Sequence, residues 1–270
     1  MDIKTILDKY GIKPDPQKDQ FFLTDEEIIE KTVKVADINE DDTVLEIGAG
    51  LGNLTTELAK KAKRVISFEI DRAFEPILSQ LPKNVETHFE NAWEYVQLHG
   101  KWRKTKEYNK VVANIPYSFA EQLLHNFTFL MYDKIVLLVP KKFLGSVKRH
   151  GIFSSFFEPK LILEVDRTKF FPVPRTDSVL IDLVKLPDPL KNRDLALFLR
   201  QYVYQHEDQK VRNSLMEGII TYKWLALEET MTKNEARKMV KDSGIDLNLL
   251  ETQPGDKIYE EISRVKWMVD

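Results

Sequence analysis

The stretch from Thr43 to Asp71 reads TVLEIGAGLGNLTTELAKKAKRVISFEID. Thr43 to Ile47 is an apolar run rich in β-branched residues, and it stops at three alternate glycines, Gly48, Gly50 and Gly52. A helix-like stretch from Asn53 to Lys61 follows. This order predicts a strand, a glycine turn and a helix. A second apolar run, Arg64 to Phe68, ends in Glu69. One βαβ unit therefore sets a carboxylate at a strand tip beside the glycine turn, where open α/β sheets bind their ligands.

The glycine spacing narrows the ligand. A dinucleotide site wants G-x-G-x-x-G, with its pyrophosphate on the helix N-terminus. Here the place of that last glycine is held by Asn53. The pattern still lets backbone approach a ligand closely while Glu69 accepts from a ribose diol. It suits an adenosyl group without a phosphate, and S-adenosylmethionine better than NAD. The competing reading is that the glycines only make the turn.

Around this unit the chain is ordinary in bulk. At 270 residues, 43% hydrophobic and 31% charged, it has room for one large α/β domain and a smaller appendage. With no cysteine, disulfides, iron–sulfur clusters and thiolate zinc sites are excluded, and five scattered histidines give no reason to expect a metal. No apolar run is long enough to span a bilayer, and the start of the chain does not read as a signal peptide, so the expected compartment is the cytoplasm. A net charge of −3 confines any nucleic-acid surface to a local patch. Lys141, Lys142, Lys148 and Arg149 are candidates for it, although such runs are commonly just solvated faces.

Strand–helix alternation continues on both sides of the glycine turn. Thr24 and Glu27 have the spacing of a capping box for a helix from about Asp25 to Ala36, and Gln20 to Leu23 would serve as a hydrophobic staple ahead of it. Further strands are predicted at Val85–Phe89, Val111–Ala113 and Ile135–Val139, with a helix from about Phe119 to Met131 before the last. Lys160–Thr168 and Val179–Lys185 would pair antiparallel, since FFPVPRTD between them is too short for a helical crossover. The fold class is α/β: a doubly wound, mostly parallel seven-stranded sheet. After Leu186-Pro187-Asp188-Pro189 only helical periodicity remains, at Leu195–Gln205, Gln209–Ile220, Lys233–Lys241 and Asp256–Met268. The expected domains are residues 1–188 and a small all-α domain, 189–270.

Asn114-Ile115-Pro116-Tyr117 follows the strand at Val111–Ala113 directly, at another carboxyl tip near the glycine turn. Pro116 fixes the backbone and removes a donor, leaving the Ile115 carbonyl to accept. An asparagine oxygen together with that carbonyl can hold both hydrogens of an exocyclic amine, while an aromatic ring stacks on a flat base. Taken with LEIGAGLGNLT, FEID and FFPVPRTDS, in this order and spacing, the chain resembles the ribosomal RNA adenine N6-dimethyltransferases that modify small-subunit rRNA. KYGIKP and Gln20–Leu23 resemble archaeal members, and QHEDQKVRNSL (Gln205–Leu215) their C-terminal domain.

That resemblance implies a class I methyltransferase fold, with S-adenosylmethionine held by Gln20, Leu23, Glu46, Gly48, Gly50, Gly52, Glu69, Ile70, Asn91, Ala92 and Asn114. It implies a catalytic group of Asn114, Ile115, Pro116 and Tyr117, with Phe170 joining Tyr117 in stacking on the flipped base. Read alone, Phe170 and Phe171 are better explained as core or edge aromatics before a proline turn. The implied partner is small-subunit rRNA or the immature small subunit, bound by a monomer, with neither membrane nor metal. Several positions depart from the family pattern. Asp19 stands for a glycine, Phe21 for a polar residue, Asn91 for an aspartate, and Glu207-Asp208 where arginines are usual. Two other readings stay open: a methyltransferase of this fold acting on another RNA, and a catalytically weak ribosome-assembly factor.

Overall fold

The computed structural model describes residues 3–97, 107–115, 124–125, 128 and 132–267. Pro116, Tyr117 and most of the helix expected at Phe119–Met131 lie outside the described residues. The chain divides into two compact units: Met1–Ser146 with Pro159–Val184, and Val147–Glu158 with Lys185–Asp270.

The first unit is built on a seven-stranded sheet. Its strands are β2 (Thr43–Ile47), β3 (Arg64–Phe68), β4 (Val85–His88), β5 (Lys110–Asn114), β6 (Lys134–Pro140), β7 (Phe157–Val165) and β9 (Ser178–Lys185). In space they run β4-β3-β2-β5-β6-β9-β7. The pairs from β4 through to β6 are parallel, and β9 lies antiparallel to β6. The central strands read as nearly unbroken apolar runs because both faces are covered: Val44, Leu45, Val65, Ile66, Val111, Val112 and Ile135 have no exposed surface. From β2 the chain winds outward to β3 and β4, then returns to lay β5 on the other side of β2. That reversal opens a crevice at the carboxyl ends of β2 and β5.

Two local expectations are revised. Phe22–Leu23 is a short strand, β1, paired antiparallel with β8 (Phe170–Phe171), Phe22 opposite Phe171 and Leu23 opposite Phe170. Two residues carry no readable period, and their partner is remote in sequence, so the pairing left no local trace. Asp25, not Thr24, caps the helix Glu26–Ala36 by accepting the Ile28 N–H at 3.2 Å. Thr24 uses its N–H and its hydroxyl on the Lys169 carbonyl, at 2.8 and 2.9 Å, which fastens β1 to β8 from the end. The helix Ile3–Tyr10 buries Ile3 and Leu7 against Phe22, Ala49, Leu51, Phe74 and Leu78, next to the glycine turn.

The second unit carries the helices Leu195–Gln205, Val211–Leu227, Lys233–Asp242, Leu247–Leu250 and Asp256–Arg264. Arg200 donates to the Gly151 carbonyl at 3.0 Å and to Ser154 Oγ at 2.6 Å, and Gln201 donates to the Ser155 carbonyl at 2.8 Å. These bonds hold the 147–158 segment to the helices.

Gly52 opens the helix Asn53–Ala59 with φ +77°, and a Cβ there would stand 3.2 Å from both Leu78 Cδ2 and Leu81 Cδ2. Gly52→Ala is therefore expected to lower stability by about 1–2 kcal/mol through the left-handed backbone alone. A chemical-denaturation midpoint equal to that of the wild type would show that the turn does not need this conformation.

Candidate active site

The crevice at the switch point is a cleft of about 550 Å³, walled by the glycine turn, the tips of β3 and β5, and residues Gln17–Leu23. Each wall has a local cause. Gly48 and Ala49 donate their N–H groups to the Phe68 carbonyl at 2.9 and 3.0 Å, so the turn is tied to the end of β3. Glu69 follows immediately. One of its oxygens accepts the Gly50 N–H and the other the Asp71 N–H, both at 2.8 Å. The carboxylate is 8% exposed, and burial raises its pKa against the pull of those two amides.

Asp71 anchors the opposite wall. It caps the turn Arg72–Phe74 through the Ala73 N–H at 3.0 Å, while its other oxygen receives Lys18 Nζ at 3.0 Å and Gln20 Nε2 at 2.9 Å. The Ala73 amide and then the Lys18 ammonium hold its pKa below the ordinary carboxylate value. The carboxamide oxygen of Gln20 accepts the Asp15 N–H at 2.8 Å, so both ends of that side chain brace the segment. Asp19, within it, has φ +55°. A left-handed residue explains why a glycine is usual there, and aspartate is among the few side chains that tolerate it. Phe22 seals the base, its ring 5.7 Å from Phe74 and in contact with Gly50.

Of the residues singled out in the sequence, Gln20, Leu23, Glu46, Gly48, Gly50, Glu69, Ile70, Asn91, Ala92, Asn114, Ile115 and Phe170 all line this cleft. Gly52 does not; it serves the helix start. Asn91 Oδ1 accepts the Trp93 N–H at 3.0 Å, capping the helix Ala92–Gln97. Asn114 is the last residue of β5, and the buried Ile115 donates its N–H to the Leu138 carbonyl at 3.2 Å. Phe170 is 3% exposed and belongs to the core beside Ile28, Leu138 and Leu180, while also lining the cleft. Sequence reasoning gave Lys18, Asp71 and Phe22 no part in the cleft and read Phe22 only as part of a hydrophobic staple; Asp71 had a signal, as the last residue of FEID. Lys141, from the suggested phosphate patch, is paired with Glu164 at 2.8 Å, and the side chains of Lys148 and Arg149 lie outside the described residues.

An antiparallel strand inserted beside β6 separates this sheet from the all-parallel dinucleotide folds and makes the first unit a Rossmann-like, class I methyltransferase domain. Residues 13–243 match the family model described as ribosomal RNA adenine dimethylase, and the chain belongs to that family. A probable ribosomal RNA small subunit methyltransferase A of Methanosarcina acetivorans is 31% identical over 226 residues, covering 79% of this chain and 82% of that one. A ribosomal RNA small subunit methyltransferase A of Thermotoga maritima is 32% identical over 229 residues, covering 79% of each. A dimethyladenosine transferase from Plasmodium falciparum has the same fold, with a TM-score of 0.56 at 22% identity over 89% of this chain and 95% of that one.

Glu46, on β2, is 1% exposed and accepts the Ser67 hydroxyl at 2.7 Å across the strand pair. Burial pushes its pKa up to about 7, against roughly 4.3 in an unfolded chain. Between those values the folded state holds a proton that the unfolded state has released, so stability falls as pH rises through that window and levels off above it. Glu46→Gln removes this slope. The variant should gain up to about 3 kcal/mol over the wild type at pH 8 and none near pH 4. Denaturation curves that differ by the same amount at both pH values would refute the buried-proton account.

Proposed function

We propose that this chain is an S-adenosylmethionine-dependent methyltransferase that dimethylates the N6 amines of adenines in small-subunit ribosomal RNA. The observation that carries the reading is that the glycine turn, Glu69 and Asn114 open on one cleft. The family match and the names of the relatives support the substrate.

The residues present suit the cofactor. A cleft of about 550 Å³ lies in the usual range for small-molecule sites. Its described ionisable lining is Asp19, Glu46, Glu69, Asp71 and Glu90 against Lys18, a balance that favours a cationic ligand. Glu69, fixed by two backbone amides, offers its remaining lone pairs to a ribose diol. Asn91 keeps acceptor capacity for an adenine amine beyond its capping bond.

When bound, S-adenosylmethionine supplies a methyl group activated by its sulfonium. Asn114 and the Ile115 carbonyl accept the two N6 hydrogens of the target, which turns the nitrogen lone pair toward that methyl. Alignment of this kind accounts for up to roughly 7–11 kcal/mol of a barrier. The proton leaves after transfer, so the site needs no general base at the transition state. Tyr117 offers the stacking face for a base that has left its helix at a cost of a few kcal/mol, and Phe170 backs the wall. After the first transfer one N6 hydrogen remains, enough to hold the amine for a second. Residues 189–270 act as a helical domain aiding contact with the immature small subunit, and the reaction takes place in the cytoplasm.

Asn114→Ala should leave the cofactor dissociation constant within about threefold by calorimetry while the transfer rate falls at least 100-fold, about 2.7 kcal/mol. Glu69→Ala should instead weaken cofactor binding tenfold or more, about 1.4 kcal/mol. The decisive measurement is mass mapping of methylated adenines after incubation with unmethylated small subunits. No heat with S-adenosylmethionine would sink the enzymatic reading, and methylation confined to other RNA would sink the substrate.

A further inference from the structure

The helix Lys233–Asp242 reads KNEARKMVKD and is closed at its start by a capping box. Thr232 Oγ1 accepts the Glu235 N–H at 3.3 Å, and the Glu235 carboxylate accepts the Thr232 N–H at 2.8 Å. Ala236 and Val240 are buried where the helix packs on Val211–Leu227. At about 100° per residue, the positions next round from that buried side are Lys233, Arg237 and Lys241, then Asn234 and Lys238. All five are exposed. The two acids, Asp242 and Glu235, fall together on the other flank.

Other cations of this unit are matched by acids: Lys210 and Arg212 by Glu251, Lys223 by Glu229, Arg264 by Glu260 and Glu261. On the stripe, Arg237 has the neutral Asn234 carboxamide at 3.0 Å. Among the described residues Lys233, Lys238 and Lys241 have no ion pair, and Glu235 is committed to the cap. The arrangement works against the helix itself. Lys233 sets a positive charge in the first turn, beside the positive end of the macrodipole. Lys233 with Arg237, and Arg237 with Lys241, are like charges four residues apart, which repel. A face that served solubility alone would intersperse both signs. Where a local rule is broken with nothing beside it to compensate, a functional reason is expected.

We propose that the exposed stripe Lys233, Arg237 and Lys241, with Lys238 at its edge, is a docking surface on the second unit for the phosphate backbone of the RNA substrate. This rests on the reading of the chain as a ribosomal RNA methyltransferase and deepens it by assigning a contact to one helix face. With a net charge of −3, a surface for a polyanion has to be local, and this stripe is local. Its three cations advance along the helix axis in steps of about 6 Å, comparable with the spacing of successive phosphates on one strand. Phosphate contacts position an RNA without reading its sequence. The stripe therefore holds the RNA and leaves the choice of adenine to the cleft. Binding through it releases condensed counterions, so it weakens as salt rises.

The test is binding of the full chain to unmethylated small-subunit rRNA between about 50 and 200 mM salt. The wild type is compared with the triple variant Lys233→Gln, Arg237→Gln, Lys241→Gln, and with a control triple, Lys61→Gln, Lys63→Gln, Lys83→Gln, which removes the same charge from exposed positions of the first unit. The stripe variant should bind at least tenfold more weakly at the low-salt end, and its slope of log K against log salt should be shallower by about 2–3. The control should stay within threefold and keep the wild-type slope. Both triples should hold S-adenosylmethionine with wild-type affinity by calorimetry. Relieved of repulsion, the stripe variant should unfold at the wild-type temperature or above it, whereas a purely structural role for these side chains lowers it. A stripe variant that binds rRNA with unchanged affinity and slope overturns the proposal and leaves the face to an acidic protein partner. Equal losses in both triples overturn it as well, by assigning the effect to total charge. A wild type that binds S-adenosylmethionine but no small-subunit rRNA overturns the proposal together with the substrate reading beneath it, which tells that failure apart from the other two.

Discussion

The Glu69 carboxylate receives one backbone amide on each oxygen, from Gly50 and from Asp71. Through those two bonds the glycine turn after β2 and the turn after β3 become one piece of structure. Without them the glycine turn would meet the end of β3 only through Gly48 and Ala49 on the Phe68 carbonyl, leaving Gly50 and Asp71 in loops, which carry their side chains with little precision. A buried carboxylate is costly unless its lone pairs are satisfied. Its burial and its two donors are thus one arrangement: the low-polarity surroundings that raise its pKa also strengthen the bonds that hold the cleft open at this corner.

From that corner the rest of the cleft is built outward. Asp71 donates its amide to Glu69 and offers its carboxylate to Lys18 and Gln20, so the segment before β1 is referred to the same point. The β1–β8 pair, with Thr24 on the Lys169 carbonyl, fixes the other end of that segment. Between the two anchors Phe22 packs on Phe74 and against Gly50. A glycine at position 50 therefore does two jobs: it adopts a positive φ and leaves room for an aromatic ring. The exposed Lys18–Asp71 pair contributes little on its own in water; the carboxamide of Gln20, satisfied at both ends, gives the segment its direction.

The cleft is also a concentration of negative charge, which the burial of Glu46 moderates by keeping a proton there to about pH 7. A cation arriving over the tip of β2 would favour releasing that proton. The overall charge of −3 conceals this local field, just as it conceals the single lysine among the acids.

The sequence by itself determined the sheet, the glycine turn and the acidic tip. Hydrophobic runs, alternate glycines and a carboxylate at a strand end are local patterns, and Asn114 was legible for the same reason, as the residue that closes β5. What only the tertiary structure decided were contacts between remote residues. Phe22–Leu23 became a strand because Phe170–Phe171 lay beside it. Gln20 turned out to brace Asp15 and Asp71, Phe170 to belong chiefly to the core, and the 147–158 segment to be held by Arg200 and Gln201. A chain's periodicity records which face of an element is buried. It does not record which distant element buries it, and a two-residue strand or a bridging side chain has no period to read.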